Sequence, residues 1–191
     1  MARGLDHIVH AVRDLDAAGA AYERLGFTVG ARNRHPWGTH NRIVQLPGFF
    51  IELLAVAEPE RIPAPGPRAP SFGAFNRDFL ARGEGFSMLV LESRDAAGDA
   101  EAFRASGIGD FDVFRFEREG RKADGETAKV AFSLAFAADP QPARAGFFTC
   151  QQHWPENFWD PALQRHRNGA RAVAGVVLVA ENPTDHHIFL S

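Results

Sequence analysis

Internal repetition is the feature that most narrows what this chain can fold into. Residues Gly4-Leu5-Asp6-His7-Ile8-Val9-His10-Ala11-Val12 are mostly β-formers, and they lead through Arg13-Asp14-Leu15-Asp16 into an amphipathic helix. A related run returns at Gly85-Phe86-Ser87-Met88-Leu89-Val90-Leu91-Glu92-Ser93 and passes into Ala96-Ala97-Gly98, as the first passes into Ala17-Ala18-Gly19. Two units with the same start argue for a duplicated fold.

Periodicity and turn signals complete each unit. Asp14 is a good N-cap, and Leu15, Ala18, Tyr22 and Leu25 fall on one helical face that Gly26 closes. Strands are expected at 27–31, 41–46 and 49–56, the last two joined by a Pro47-Gly48 turn, so the first unit (1–57) reads βαβββ. A connector (58–83) follows, with prolines at 59, 63, 65, 67 and 70, then a short helix capped by Ser71 with Phe72, Phe75 and Phe79 on one side. The second unit (84–156) repeats the order: a strand to Ser93, a helix over 96–106, and strands near 113–117, 129–137 and 146–153, with a hairpin around Gly120 to Gly125. In the last segment (157–191) the apolar run 172–180 leads into Asn182-Pro183-Thr184, which is how the first unit opens, so a third unit is expected to begin there. The fold class expected is α+β.

Composition excludes several roles. With 45% hydrophobic residues in 191, the chain can bury a substantial core without disulfides, and its single cysteine, Cys150, forbids an intrachain one. A net charge of −3 offers no general attraction to nucleic acid or to an anionic membrane. No apolar signal core or bilayer-length window occurs, so a cytoplasmic protein with a small-molecule partner is expected. Phosphate-cradling, dinucleotide, Cys-x-x-Cys and His-Glu-x-x-His motifs are absent. Seventeen Phe against one Tyr suit a core and the wall of an apolar cavity.

Two side chains stand out chemically. Strand alternation puts Leu5, His7 and Val9 on one face, and Phe50, Glu52 and Leu54 on another. A carboxylate amid Phe49-Phe50-Ile51 and Leu53-Leu54 is costly to bury unless it meets a metal, a cation or several donors. His7 and Glu52 therefore form a candidate imidazole-plus-carboxylate half-site for a divalent ion. Arg42 is the alternative partner for Glu52. Asn41 and Arg42 alternate on one strand, so one of them faces the cavity, and Arg42 would suit an anionic substrate group.

The paired βαβββ units, His7, the Asp14-Leu15-Asp16 helix start, Leu25-Gly26-Phe27, Glu52, Gly38-Thr39-His40-Asn41-Arg42 and His166-Arg167-Asn168-Gly169-Ala170 together resemble the vicinal oxygen chelate superfamily, in its glyoxalase-like branch. The resemblance implies two cupped mixed sheets closing a barrel-like cavity, with a metal held by the first and last strands of each unit. His7 and Glu52 match those positions in unit one. In unit two Ser87 falls opposite His7 and Cys150 opposite Glu52, so Gln152 is the candidate to complete the metal set, with His153 the neighbouring choice. Cys150, His153 and Trp154 join Asn41 and Arg42 as candidate substrate contacts, and the segment from Trp154 through Trp159 to Ala170 reads as a cap over the cavity mouth.

The resemblance implies an isomerase, lyase or dioxygenase in which Zn, Ni, Mn or Fe chelates adjacent substrate oxygens, with Glu52 as the candidate base. The alternative is a metal-free protein that sequesters a small hydrophobic compound, as bleomycin-resistance members do; a third reading is a dimerising scaffold, and a homodimer is expected in either case.

Overall fold

The computed structural model describes residues 3–121, 127–139 and 144–190. In chain order it contains β1 (Leu5–Ala11), α1 (Leu15–Arg24), β2 (Asn33–Arg34), β3 (Thr39–Leu46), β4 (Phe49–Val56), α2 (Phe72–Leu80), β5 (Gly85–Glu92), α3 (Ala96–Ala105), β6 (Phe114–Arg121), β7 (Thr127–Ala137), β8 (Gly146–Gln152) and the one-turn helices α4 (Pro155–Phe158) and α5 (His187–Leu190). The βαβββ order occurs twice. The hairpin expected around Gly120 to Gly125 falls largely outside the described residues.

Capping follows the sequence. Asp14 accepts hydrogen bonds from the backbone N–H of Asp16 and Ala17, Ser71 from Ala74 and Asp95 from Gly98, which satisfies donors that the first helical turns leave open. One expected strand is missing: residues 27–31 make no ladder. Only the Gly30 N–H reaches the Ile43 carbonyl, at 2.8 Å, and the second strand is the short pair Asn33–Arg34 instead. Val29, which made that stretch look like a strand, packs with Val12, Leu15 and Leu53 beneath α1. The run 172–180 has no helix or strand; Val173 and Val176 pack beside Ile8 and Phe49, while Val177 and Val179 are exposed.

All eight strands join one sheet in the order β2-β3-β4-β1-β5-β8-β7-β6. Within each unit the first strand pairs in parallel with the last (β1 with β4, β5 with β8), and the two units meet where β1 runs antiparallel to β5. The sheet curls. The concave side holds the main core, which includes Val9, Leu54, Met88, Val90, Phe132, Phe136 and Phe148, while α1 and α3 cover small clusters on the convex side. Curling brings β6, at one end of the strand order, against the turn between β2 and β3 at the other: Trp37 meets Phe114 at 5.1 Å and Phe116 at 4.8 Å between ring centroids. Burial of these rings is the drive for closure. Among the described residues no helix is long and apolar enough to cross a membrane.

The turn that closes the curl rests on Gly38. Its φ is +84°, its carbonyl accepts from the N–H groups of Ala57 and Glu58, and a Cβ there would stand 2.2 Å from the Glu58 carbonyl oxygen. Gly48, in the Pro47-Gly48 turn, also has positive φ (+71°), but nothing lies within 4 Å of an added Cβ. Gly48→Ala should therefore cost about 1 kcal/mol of left-handed strain, and Gly38→Ala, which adds a backbone clash, roughly 2–3 kcal/mol. Thermal unfolding checks this, since Tm should fall by about 2–4 °C per kcal/mol in a chain of this size; equal shifts would contradict the account.

Beside Gly38, the ring of His35 stacks on Trp37 at 4.6 Å and is 6% exposed. Its pKa is lowered to about 3, by burial first and then by Arg118 and His40. Because the folded pKa lies below the unfolded one, the unfolded chain takes the proton first. Stability from this group is complete above about pH 6.5 and is lost as pH falls toward 3, by at most ~1.4 kcal/mol per pH unit. Denaturant unfolding at several pH values should give a shallower acid slope for His35→Asn than for the native chain; identical slopes would contradict it.

Candidate functional site

Parallel pairing of β1 with β4 sets His7 beside Phe50 and Val9 beside Glu52, so the four side chains share the concave face. The antiparallel β3–β4 ladder sets Ile43 opposite Glu52 and Asn41 opposite Leu54 on the same face. A cavity of about 50 Å³ results, room for the reacting head of a small molecule. His7, Asn41, Glu52, Cys150, His35 and Arg118 are its polar lining, and most of the remainder is aromatic.

His7 is held on three sides. Its ring stacks on Phe50 at 4.2 Å and meets the edge of Phe148 at 5.5 Å. Its Nδ1 makes a short hydrogen bond to Asp6 Oδ1, and because an ionised carboxylate only accepts, Nδ1 is the donor; in the neutral ring Nε2 then carries the lone pair. Nε2 stands 3.9 Å from Glu52 Oε2, too far for a hydrogen bond. Both residues are buried, at 4% and 6% exposure. Glu52 Oε1 accepts from Asn41 Nδ2 at 2.6 Å, and Asn41 in turn accepts from Asn33 at 2.9 Å, which fixes the amide's orientation. Burial pushes the Glu52 carboxyl above the usual carboxylate range, against the opposing pulls of His7, the Asn41 hydrogen bond and Arg118.

Asp6 is the hub that the alternation rule missed. Strict alternation would put it on the face away from His7, but the β1–β5 register shifts between Leu5 and His7, and this irregularity lets the carboxylate turn beside the imidazole. Asp6 also accepts from Gln152 Nε2 at 2.9 Å, and the Cys150 sulfur lies within 4.8 Å of it. Burial raises the Cys150 pKa well above its ordinary value, and the Asp6 and Glu52 charges add to the rise, so the sulfur keeps its proton.

The other expected site residues are distributed as follows. Asn41 faces the cavity; Arg42 faces the other way, where it bonds Asp16 of α1 at 3.0 Å and packs on Gly19. Glu52 therefore has Asn41, not Arg42, as its partner. Gln152 lies outside the cavity lining and is tied to Asp6, with its Oε1 buried and unpartnered. His153 bonds Ser133 Oγ at 2.8 Å, and Trp154 lies under Lys129 Nζ at 5.3 Å; neither lines the cavity. Phe158 does, packing on Phe50 and Phe132, while His166 is a strut between the Thr28 N–H and the Gln45 carbonyl. Ser87 is not the counterpart of His7. The equivalent caps Asp14 and Asp95, and the equivalent bonds from the Val12 N–H to the Leu54 carbonyl and from the Ser93 N–H to the Cys150 carbonyl, put Met88 at the place of His7 and Phe148 at the place of Glu52; Ser87 sits at a second register shift, bonded to Asn76. Cys150 corresponds to Leu54, two residues beyond the place of Glu52.

The donor set fits a divalent ion in part. The 3.9 Å between His7 Nε2 and Glu52 Oε2 is within the reach of two ligand bonds of roughly 2.1 Å each. Asp6, His7 and Cys150 also gather oxygen, nitrogen and sulfur within 4.8 Å. That knot is already internally hydrogen-bonded, however, and Cys150 would have to lose a strongly held proton to ligate. His7 and Glu52 are thus the direct ligands available, with Asp6 as the support that orients the imidazole.

The profile of the glyoxalase-like domain family matches residues 5–190. No curated protein matches the chain. Among solved structures, a hypothetical protein from Staphylococcus aureus aligns with a TM-score of 0.61 and 20% identity over 80% of this chain; the chain spans 60% of that protein's length. A hypothetical protein from Bacillus halodurans C-125 aligns at 0.53 and 18% identity, over 78% of this chain and 94% of that one. Methylmalonyl-CoA epimerase from Mycobacterium tuberculosis aligns at 0.51 and 21% identity, over 77% and 86%. At these identities the likeness is one of fold, an eight-stranded curled sheet, and with a family profile that runs from β1 almost to the last residue the chain belongs to the glyoxalase-like domain family of the vicinal oxygen chelate superfamily.

Proposed function

We propose that this protein is a small-molecule enzyme in which His7 and Glu52 hold a divalent ion and Glu52 moves a proton beside a substrate oxygen. The observation that carries the reading is the 3.9 Å between His7 Nε2 and Glu52 Oε2, both residues buried in an aromatic chamber. A divalent ion bound there would act as a Lewis acid on adjacent oxygens of the substrate.

The chain's own residues supply the rest. Asp6 keeps the His7 proton on Nδ1 and so aims Nε2 into the cavity. Asn41 turns the Glu52 carboxylate toward His7 and stabilises its charged form. Phe50, Phe72, Phe132, Phe148 and Phe158 exclude water, which strengthens every charge interaction inside. Burial raises the basicity of Glu52 toward the working pH, as a general base requires. An epimerase, as the Mycobacterium tuberculosis relative is named, also moves a proton, but 21% identity supports the fold and not a shared substrate.

The second reading is metal-free binding of a small hydrophobic compound. Met88 at the place matching His7, and Phe148 at the place matching Glu52, favour it, because unit two then offers no imidazole or carboxylate from those positions.

Calorimetric titration of the chelator-treated protein with Zn and Mn separates the two. One ion per chain should bind to the native protein and none to His7→Ala or Glu52→Gln; unchanged binding in both variants, or no binding by the native chain, would remove the metal site. Asp6→Asn should keep the stoichiometry but weaken affinity by about 10–100-fold, the usual effect of losing a support behind a ligating histidine. Unaltered affinity would mean that Asp6 does not orient His7.

A further inference from the structure

Arg118 is the one cation of the chamber wall whose charge nothing in the fold accounts for. It comes from β6, in the second unit, and reaches the cavity because the curl folds that strand over the β2–β3 turn. Its neighbour two residues back, Phe116, stands on the same strand face and packs edge-on to Trp37 and His35. Several arginines elsewhere are paired: Arg3 with Asp99, Arg32 and Arg42 with Asp16, Arg68 with Asp110 and Asp112, and Arg104 with Asp110. Arg118 has no ion pair among the described residues. Its one hydrogen bond there is long, 3.4 Å, to the Glu119 carbonyl, although a guanidinium carries five donors.

Burial makes that charge consequential. Arg118 is half-buried, and its pKa is lowered by burial with Glu52 pulling the other way. Glu52 feels its field, yet no contact joins the two, and Glu52 is already turned to Asn41 and His7. The Trp37 indole N–H lines the same cavity, buried and without an acceptor among the described residues. An unpaired buried donor of this kind is costly and calls for a partner. His35 cannot supply a charge, since its pKa near 3 keeps it neutral.

We propose that Arg118 is the anion anchor of the chamber, and that the substrate is a small organic anion with an apolar body, its carboxylate on Arg118 and its reacting oxygens toward His7 and Glu52. This rests on the chamber being the substrate site. The planar guanidinium matches a carboxylate in two parallel hydrogen bonds, and the water-poor wall strengthens them. The phenylalanine rings provide the surface for the apolar body. Arg42, which the sequence nominated for this task, is committed to α1 on the opposite face.

Two probes share a phenyl ring and adjacent oxygens but differ in charge: phenylpyruvate is an anion and 1-phenyl-1,2-propanedione is neutral. Calorimetry on chelator-treated native protein, Arg118→Met and Arg118→Lys should show phenylpyruvate binding weakened about tenfold or more by the methionine and partly kept by the lysine, the scale of one charge-assisted pair. Dione binding should stay within about twofold in all three, which separates anchoring from a folding defect. Phenylpyruvate binding unchanged in Arg118→Met overturns the proposal. So does an equal loss of the dione, or no phenylpyruvate binding by the native protein at millimolar concentration. Arg118→Met should also keep the metal stoichiometry. If the native chain binds no metal while the charge preference persists, the anchor stands and the metal reading alone fails.

Discussion

Parallel pairing of the first strand of a unit with its last is the constraint from which the rest follows. It is the reason residues far apart in sequence, His7 and Glu52, reach one concave face in a fixed register. A shift of one residue in that pairing would turn Glu52 to the convex side, where α1 packs, and leave the cavity apolar at that point. The duplication repeats the geometry without the chemistry. Met88 and Phe148 occupy the corresponding places in unit two and give apolar packing where unit one has an imidazole and a carboxylate. The two halves thus divide the work: unit one supplies the polar centre, and unit two supplies Phe116, Phe132 and Phe148 of the aromatic wall and the Arg118 charge.

Around that centre the polar groups form one chain of contacts. Gln152 donates to Asp6, Asp6 holds His7, Asn41 holds Glu52, and Asn33 holds Asn41. In a water-poor interior each such bond restricts the next, and a group left out is expensive. The two ends that meet nothing, His7 Nε2 and Glu52 Oε2, face each other. That is where a ligand gains most, since the surrounding donors and acceptors are already spent.

Much of the fold was legible because local signals agreed. Caps at Asp14 and Ser71, the Pro47-Gly48 turn and the proline-rich connector mark the observed boundaries closely. Apolar spacing misled at 27–31, because Val29 is buried against a helix and not in a ladder. The site was legible in its pair, and less so in its surroundings. Alternation identified His7 and Glu52 as concave-facing, but the two register shifts on the β1–β5 pair, which no residue type announces, moved Asp6 toward His7 and displaced Ser87 from the place opposite it. Alternation also said that one of Asn41 and Arg42 faces inward without saying which. Arg118 read as part of a short basic run, because only the curl of the sheet carries its strand back over the cavity.

The account depends most on the direction in which His7 presents its lone pair. Nitrogen-15 NMR of the His7 imidazole in the metal-free protein above neutral pH reads this directly. The proton should be found on Nδ1, in a strong hydrogen bond to Asp6, with Nε2 unprotonated and facing Glu52. A proton on Nε2 would mean that the imidazole cannot offer that nitrogen to an ion or a substrate, and it would contradict the site at its centre.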